Sequence, residues 1–368
     1  MRVVVKIGSS SIVGEDGEVR SQVLDNLGSQ LSKILRDGHE VALVTSGAIA
    51  LGRALLTEKL VPFSGRIGSD LPTLQAISGV GQSRLMHYWD GTLQGHGLIG
   101  AQILLAPLDF MNRQQYLHAR ATLARLFSLR IIPVINENDA IADEEIRFGD
   151  NDRLAALVAH LVSADLLVLL TDTPGLMTTD PHIRHDASLI EEVVEVDRQL
   201  EELAGGTVSQ IGSGGMASKL AAAKMASWSG TKVVIAASWR AHILEEAVEG
   251  ENVVGTVIHA KPHRLSARKL WIAFAVGSKG VVVVDEGARK AVIEKGTSLL
   301  PAGVLGVKGD FDANDPVEVA NEQGEVFAKG LVRYSSGMVE LWAGKHSSII
   351  PNELGEEVIH RDDLVLLV

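Results

Sequence analysis

The sequence predicts an α/β protein: a mainly parallel open sheet sandwiched by helices, followed by a small, mostly β domain. Three observations carry this. Short β-branched runs alternate with longer stretches of helical spacing through most of the chain, the rhythm of βαβ units. Hydrophobic residues make up 46% of the sequence but aromatics only 4%, so the core is aliphatic, as buried parallel strands are. Near Gly255–Ser266 the rhythm changes. The Pro- and His-containing stretch His259–Arg264 reads as a connection, and short strands and turns follow it.

Arg2–Lys6 opens the chain as a strand. Between Gln22 and Arg36, Val23, Leu27, Leu31, Ile34 and Leu35 share a helical face, and Gly38 ends that helix. Val41–Thr45, Leu98–Leu104 and Ile131–Ile135 are the next strands, with a helix around Tyr116–Leu129. Asp152–Ser163 reads as a helix, Leu166–Thr171 as an almost wholly apolar strand, Met216–Ser229 as an Ala-rich helix and Lys232–Ala237 as a strand. In the C-terminal part, strands are expected at Gly280–Val284, Val304–Val307, Asp315–Val319, Glu325–Leu331 and Val339–Trp342, with a hairpin connection at Asn321–Gly324. The expected division is 1–260, a linker at 261–274, and 275–368, the last of about 100 residues and of ordinary domain size.

The 368 residues include no cysteine, so a disulfide framework and a thiolate metal site are both excluded. The N-terminus reads as a strand at once and not as a signal peptide, and no apolar run reaches the length of a membrane span. A cytoplasmic protein without a membrane partner is expected. The formal net charge of −12 disfavours a general nucleic-acid grip, which needs a basic face. An anionic substrate would have to be met by isolated lysines.

Those lysines occur among glycines at expected strand ends, where a doubly wound sheet binds its ligands. Lys6-Ile7-Gly8-Ser9-Ser10 ends the first strand. Gly8 would let backbone amides approach a phosphate while Lys6 adds a full charge; the plainer alternative is a lysine snorkelling out of the sheet. Thr45-Ser46-Gly47-Ala48 joins a strand to a helix N-terminus, an anion site or simply a Ser cap. Asn136-Glu137-Asn138-Asp139 follows another strand, suited to an ammonium group or to an Asx-rich turn. Gly149-Asp150-Asn151-Asp152 starts a helix with more polar residues than one cap requires. Thr171-Asp172 ends the most apolar strand. Gly212-Ser213-Gly214-Gly215-Met216-Ala217-Ser218-Lys219 is a glycine-rich loop entering a helix. A lysine in a first helical turn opposes the helix dipole unless a polyphosphate lies there. Neither a Walker A loop nor a Gly-x-Gly-x-x-Gly fingerprint after the first strand is present. His182 and His185 lack metalloprotease spacing and read as solvated loop residues.

Taken in order, and with Val80-Gly81-Gln82, these motifs resemble the glutamate 5-kinases of the amino acid kinase superfamily. Val284-Asp285-Glu286-Gly287-Ala288 and Ser298-Leu299-Leu300-Pro301-Ala302-Gly303 resemble the PUA domain that many of them carry. The resemblance spans nearly the whole chain. It implies ATP-dependent phosphorylation of the γ-carboxylate of L-glutamate, feedback inhibition by proline, and a homo-oligomer of two or four chains. It also implies residue roles. Lys6 and Lys219 would stabilise phosphate, oriented by Asp152. Ser46, Gly47, Asp139 and Asn151 would bind glutamate. Lys6, Gly8, Thr171, Asp172 and the loop Ser213, Gly214, Gly215, Met216, Ala217, Ser218 and Lys219 would bind ATP. No protein-built metal cage is implied, since Mg²⁺ is held largely by nucleotide phosphates and water. Two positions depart from the family pattern. Met177 stands where an aromatic is usual, and Asn314 where glycine is usual; Asn tolerates the left-handed conformation.

The chemistry agrees with the motifs. A side-chain carboxylate has a reference pKa of about 4.3, so it needs no general base, and the motifs contain no poised histidine. Rival readings are a superfamily member acting on another acid or on a nucleoside monophosphate, an RNA-binding protein, and a catalytically dead sensor. Over Leu265–Val368 the charges sum to 11 − 15 = −4, which argues against RNA as a partner.

Overall fold

The structure is a computed structural model describing residues 1–14, 17–64, 68–141, 151–179, 187–204, 215–250, 255–262, 264–275, 277–346 and 356–367. The chain divides into two compact units, Met1–Leu265 and Ser266–Val368.

Among the described residues, the first unit holds an eight-stranded sheet. Its strands are β1 (Arg2–Ile7), β2 (Glu40–Thr45), β3 (Gly100–Leu105), β4 (Ile132–Glu137), β5 (Leu166–Thr171), β6 (Glu192–Val193), β7 (Lys232–Ala237) and β8 (Thr256–Ile258), in the order β3-β4-β2-β1-β5-β7-β8-β6. The strands from β3 to β7 in that order pair in parallel, whereas β8 runs antiparallel to β7. The helices are α1 (Ser9–Ile12), α2 (Ser21–Arg36), α3 (Ala48–Ser64), α4 (Leu71–Gly95), α5 (Pro107–Met111), α6 (Arg113–Ser128), α7 (Asn151–Leu161), α8 (Arg198–Leu203), α9 (Met216–Trp228) and α10 (Ile243–Glu249). From β1 the chain builds outward through β2 to β4 and β3, then returns to β5 on the other side of β1. The carboxyl end of β1 is thus a topological switch point, where such sheets bind ligands.

Alternation along β1 explains its composition. Val3, Val5 and Ile7 enter a core with Leu24, Leu27 and Leu31 of α2, Leu85 and Trp89 of α4, and Ile243 and Leu244 of α10. Val4 and Lys6 take the opposite face, where α7 packs. The central β5 is buried along its whole length, which is why Leu-Leu-Val-Leu-Leu carries no polar alternation.

The strand expected to stop at Ile135 runs on to Glu137, so Asn136 and Glu137 are strand residues and only Asp139 begins the following 3₁₀ turn. A missed feature is the pair α3 and α4. Its crossing is set by two glycines. A Cβ at Gly81 would lie 1.7 Å from the Ala48 carbonyl oxygen, and one at Gly52 would lie 2.1 Å from the Ile77 carbonyl oxygen. Backbone therefore meets backbone, and α4 is held against the start of α3 beside the sheet's carboxyl edge.

The second unit is a five-stranded sheet of β9 (Gly280–Val284), β10 (Val304–Gly309), β11 (Pro316–Ala320), β12 (Val326–Leu331) and β13 (Leu364–Leu366), ordered β10-β9-β11-β12-β13. Its helices are α11 (Ala267–Leu270), α12 (Glu286–Lys295) and α13 (Ser336–Trp342). Inside the stretch read as a linker, Ala267–Leu270 and Trp271–Ala275 form helical turns with Leu270 and Ile272 buried. Val339–Trp342 is not a strand but the end of α13. Val339 and Trp342 are buried three residues apart while Leu341 is 61% exposed, a helical spacing that four residues of Val-Glu-Leu-Trp disguise as alternation. Trp342 meets Tyr334 edge-on at 4.8 Å in the core. Asn314 adopts φ 72°, so the turn keeps its left-handed residue without glycine.

Two stability predictions follow from the first unit. An interior helical Gly→Ala change ordinarily stabilises by up to about 1 kcal/mol. Gly79→Ala meets open space in α4 and should behave that way, whereas Gly81→Ala should destabilise by about 1–3 kcal/mol or more, read by denaturant unfolding. His160, on α7 beside Tyr116, is held down at about 4 by burial and then by the charges of Arg264 and Arg120. The unfolded chain takes up that proton more readily. The stability present above pH 6.5 should therefore fall as pH drops toward 4, and His160→Phe should flatten that slope in unfolding measured across pH.

Candidate active site

The carboxyl edge of the sheet opens into a cavity of about 690 Å³ at the switch point. Its lining comes from six places in sequence: Lys6, Gly8 and the serines of α1 after β1; Ser46 and Gly47 after β2; Asn136, Glu137 and Asp139 at β4; Asn151 at the start of α7; Thr171 and Asp172 at the end of β5; and Gly215, Met216 and Lys219 at the start of α9.

At its centre lies one carboxylate shared by two lysines. Asp152, in the first turn of α7, is 0% exposed; its Oδ1 is 2.5 Å from Lys6 Nζ and its Oδ2 is 3.3 Å from Lys219 Nζ. Both lysines are buried, and Ser218 Oγ lies 3.4 Å from Oδ2. Lys6 reaches this point because strand alternation turns it toward α7. Lys219 reaches it because α9 packs beside α7, so the first turns of the two helices lie together. The three groups sum to one positive charge removed from water. Two ammonium groups at the wall of a cavity favour an anionic ligand there. The amino-terminal ends of α7 and α9 favour the same sign of ligand.

Toward β4 the chemistry changes sign. Glu137 is buried and Asp139 is half-buried, and Ser78 Oγ of α4 donates to Asp139 Oδ2 at 3.1 Å. Asn151 Nδ2 donates to the Thr45 carbonyl at 2.6 Å and to Asn136 Oδ1 at 2.6 Å, and lies 3.0 Å from Ser46 Oγ. Trp89 Nε1 donates to Thr45 Oγ1 at 2.9 Å, holding the end of β2 from below. Gly47 sits at φ +112°, a conformation that favours glycine, and so carries the chain from β2 into α3.

On the β5 side, Thr171 Oγ1 donates to Asp172 Oδ1 at 3.1 Å, and the Thr171 carbonyl accepts from Ser238 N at 2.8 Å. Gly215 caps α9 with no side-chain hydrogen bond to the helix.

Of the residues singled out from sequence, the structure gathers Lys6, Gly8, Ser46, Gly47, Asp139, Asn151, Thr171, Asp172, Gly215, Met216 and Lys219 around this one cavity, with Asp152 and Ser218 behind the lysines. Ala217 is on α9 but does not line the cavity. Ser213, Gly214, Gly149, Asp150, His182 and His185 lie outside the described residues. Sequence reasoning assigned no individual role to Asn136, Glu137, Ser78 or Gln82. The signal was there for Gln82, whose Val-Gly-Gln motif fits no ordinary helical purpose until Gly81 is seen against Ala48. Among the described residues, no group of three or more histidine, aspartate or glutamate side chains converges as a metal site.

Comparison with known proteins agrees with this geometry. Residues 1–237 match the amino acid kinase family and residues 280–354 match the PUA domain. A glutamate 5-kinase of Caldanaerobacter subterraneus subsp. tengcongensis is 43% identical, with 100% of this chain and 98% of that protein covered. A glutamate 5-kinase of Citrifermentans bemidjiense is 45% identical, covering 100% of this chain and 97% of that protein. Among solved structures, the UMP kinase from Ureaplasma parvum superimposes with a TM-score of 0.50 at 13% identity over 70% of this chain and 98% of that chain, a likeness of fold. With a buried lysine pair at the switch point and full-length identity of this order, the chain belongs to the amino acid kinase family and, within it, to the glutamate 5-kinases.

Proposed function

We propose that the chain transfers the γ-phosphoryl group of ATP to the γ-carboxylate of L-glutamate, forming L-glutamyl 5-phosphate, the first step of proline biosynthesis. The observation that carries this reading is the shared Asp152 carboxylate with Lys6 and Lys219 on its two oxygens, in one cavity with Glu137 and Asp139. β4 lies two strands from β1, about 10 Å by ordinary strand spacing. An extended amino acid with a hydrogen bond at each end spans that separation. Its ammonium group meets the carboxylates, and its side-chain carboxylate meets the lysines.

The same polarity argues against a nucleoside monophosphate as acceptor. Such a substrate would bring an anion without an ammonium group to the end of β4, against Glu137 and Asp139.

In the reaction, a γ-carboxylate oxygen of glutamate forms a bond to the γ-phosphorus as the bond to the bridging oxygen of ADP breaks. The carboxylate is ionised at neutral pH, with a reference pKa of about 4.3, so no proton need be removed. The barrier is the approach of two anions, met by positioning and electrostatic stabilisation. Lys6 and Lys219 supply the positive charge, and Asp152 stops the two ammonium groups from splaying apart. Gly8 and Gly47 offer backbone amides, while Ser46, Asp139 and Asn151 hold the amino acid. Thr171, Asp172 and the loop from Ser213 through Gly214, Gly215, Met216, Ala217 and Ser218 to Lys219 hold the nucleotide. With Mg²⁺ bound, charge on the triphosphate would be neutralised further. The ion fits this site as a passenger on the triphosphate, since it keeps several waters and takes few protein ligands. Proline, as end product and feedback ligand, and a homo-oligomeric assembly in the cytoplasm belong to the same proposal.

The test is glutamate-dependent ADP release, with the acyl phosphate trapped by hydroxylamine, with and without proline. Release that ignores glutamate would overturn the reading. Lys6→Ala and Lys219→Ala should each lower kcat by about 10²-fold or more. Asp152→Asn should lower kcat on the same scale, because it leaves two like charges together without their counter-ion. Asp139→Ala and Asn151→Ala should instead raise the KM for glutamate most. A defect confined to the KM for ATP would reverse their assignment.

A further inference from the structure

The site's amino-acid half is tied to α4 by a chain of side-chain amides. Asn136 Nδ2 donates to Gln82 Oε1 at 2.6 Å. Asn136 Oδ1 accepts from the backbone N–H of Glu137 at 2.9 Å and from Asn151 Nδ2 at 2.6 Å. Asn151 Nδ2 also donates to the Thr45 carbonyl at 2.6 Å. All three amides are buried; Asn136 and Asn151 line the cavity, and Gln82 does not.

Two backbone groups set the polarity of this chain. The Thr45 carbonyl can only accept, so the nitrogen of Asn151 faces it. The Glu137 N–H can only donate, so the oxygen of Asn136 faces it. The Asn136 NH₂ group is then turned toward α4, and Gln82 must answer with its oxygen. A carboxamide whose two ends are both engaged has one orientation. Remove the acceptor at Gln82 and the buried Asn136 NH₂ loses its partner, while the reason for that orientation weakens.

α4 is a rigid support for such a role. Gly81 lets its backbone touch the start of α3, so the next residue, Gln82, is delivered to the sheet edge at a fixed height. Ser78, one turn earlier on the same face, donates to Asp139. The same helix face thus holds a residue at each end of the 136–139 segment.

We propose that Gln82 is a positioning residue for the amino-acid substrate: it locks the Asn136 carboxamide, whose oxygen accepts from Asn151, in the single orientation that leaves this edge of the cavity ready for the substrate's amino-acid end. Gln82 touches neither the nucleotide side of the cavity nor the lysine pair, so its effect belongs to one substrate. The inference rests on the glutamate reading above.

The experiment is steady-state kinetics of the full chain in the hydroxylamine assay, varying glutamate and ATP separately. Gln82→Met, close in size but without the acceptor, should raise the KM for glutamate by about ten-fold, with kcat and the KM for ATP within about two-fold of the parent. Gln82→Glu keeps an oxygen in place and should recover most of that loss. Gln82→Asn withdraws the amide by one methylene and should shift the same constant in the same direction, which serves if Gln82→Met does not fold. In the Asn136→Ala background, Gln82→Met should add nothing, because the group it orients is gone. Equal rises in both KM values, a fall in kcat alone, or additive effects in the double variant would make Gln82 merely structural and overturn the proposal. A parent enzyme inactive with glutamate would instead overturn the functional reading, so the two failures are distinct.

Discussion

Two ammonium groups held on the two oxygens of one carboxylate, all three away from water, make Asp152 the point on which the first unit turns. Neither lysine could be buried alone without a heavy desolvation cost, and neither could approach the other without the acid between them. Each member comes from a different element: β1, α7 and α9. Their meeting therefore requires the parallel pairing of β1 with β5, the packing of α7 on the face of β1 that carries Lys6, and the packing of α9 against α7. The ion triad is less a staple for the fold than a demand placed on it. Ammonium groups buried at a cavity wall favour an anionic ligand, and the packing that brings them there serves the cavity more than it serves stability.

The β4 side of the cavity is organised by a different kind of contact. Two glycine-lined backbone approaches press α4 against α3, and that contact sets where Ser78 and Gln82 stand. From there a line of amides and carboxylates runs along the ends of β4 and β2 to α7. Most of its members are half-buried or buried, so their hydrogen bonds are oriented before any ligand arrives. Preorganisation of this kind is what phosphoryl transfer to a carboxylate asks of a protein, because the covalent chemistry needs no proton shuttle. The separation of chemistry is spatial: carboxylates and amides toward β4, lysines at β1 and α9, and Thr171 with Asp172 at the end of β5.

The second unit has its own core, centred on Val282, Phe311, Phe327 and the Tyr334–Trp342 pair, and its own sheet. Its net charge of −4, from 11 basic and 15 acidic residues over Leu265–Val368, is the wrong sign for a general grip on nucleic acid. The PUA match gives it a family without giving it a nucleic acid to hold.

Much was legible in the chain itself. Short β-branched, apolar runs and helical apolar spacing announced most strands and several helices of the sheet domain, because burial on one or both faces writes itself directly into residue type. The Lys-x-Gly, Ser-Gly and Gly-rich motifs marked strand ends and helix starts that the structure gathers around one cavity, because close backbone approach and isolated charge stand out at such places. Local reading failed where local pattern is ambiguous, as at Val339–Trp342, where four residues fit either period. It also failed to bound β4, since Asn136 and Glu137 look like loop residues yet complete a strand. Which residues meet was decided only by tertiary structure. That Lys6 and Lys219 share Asp152, that Gly81 abuts Ala48, and that Gln82 reaches Asn136 are facts about elements brought side by side. Local sequence encodes which way a side chain faces within its own element; its neighbours across the sheet edge depend on strand order and helix crossing, which no single segment contains.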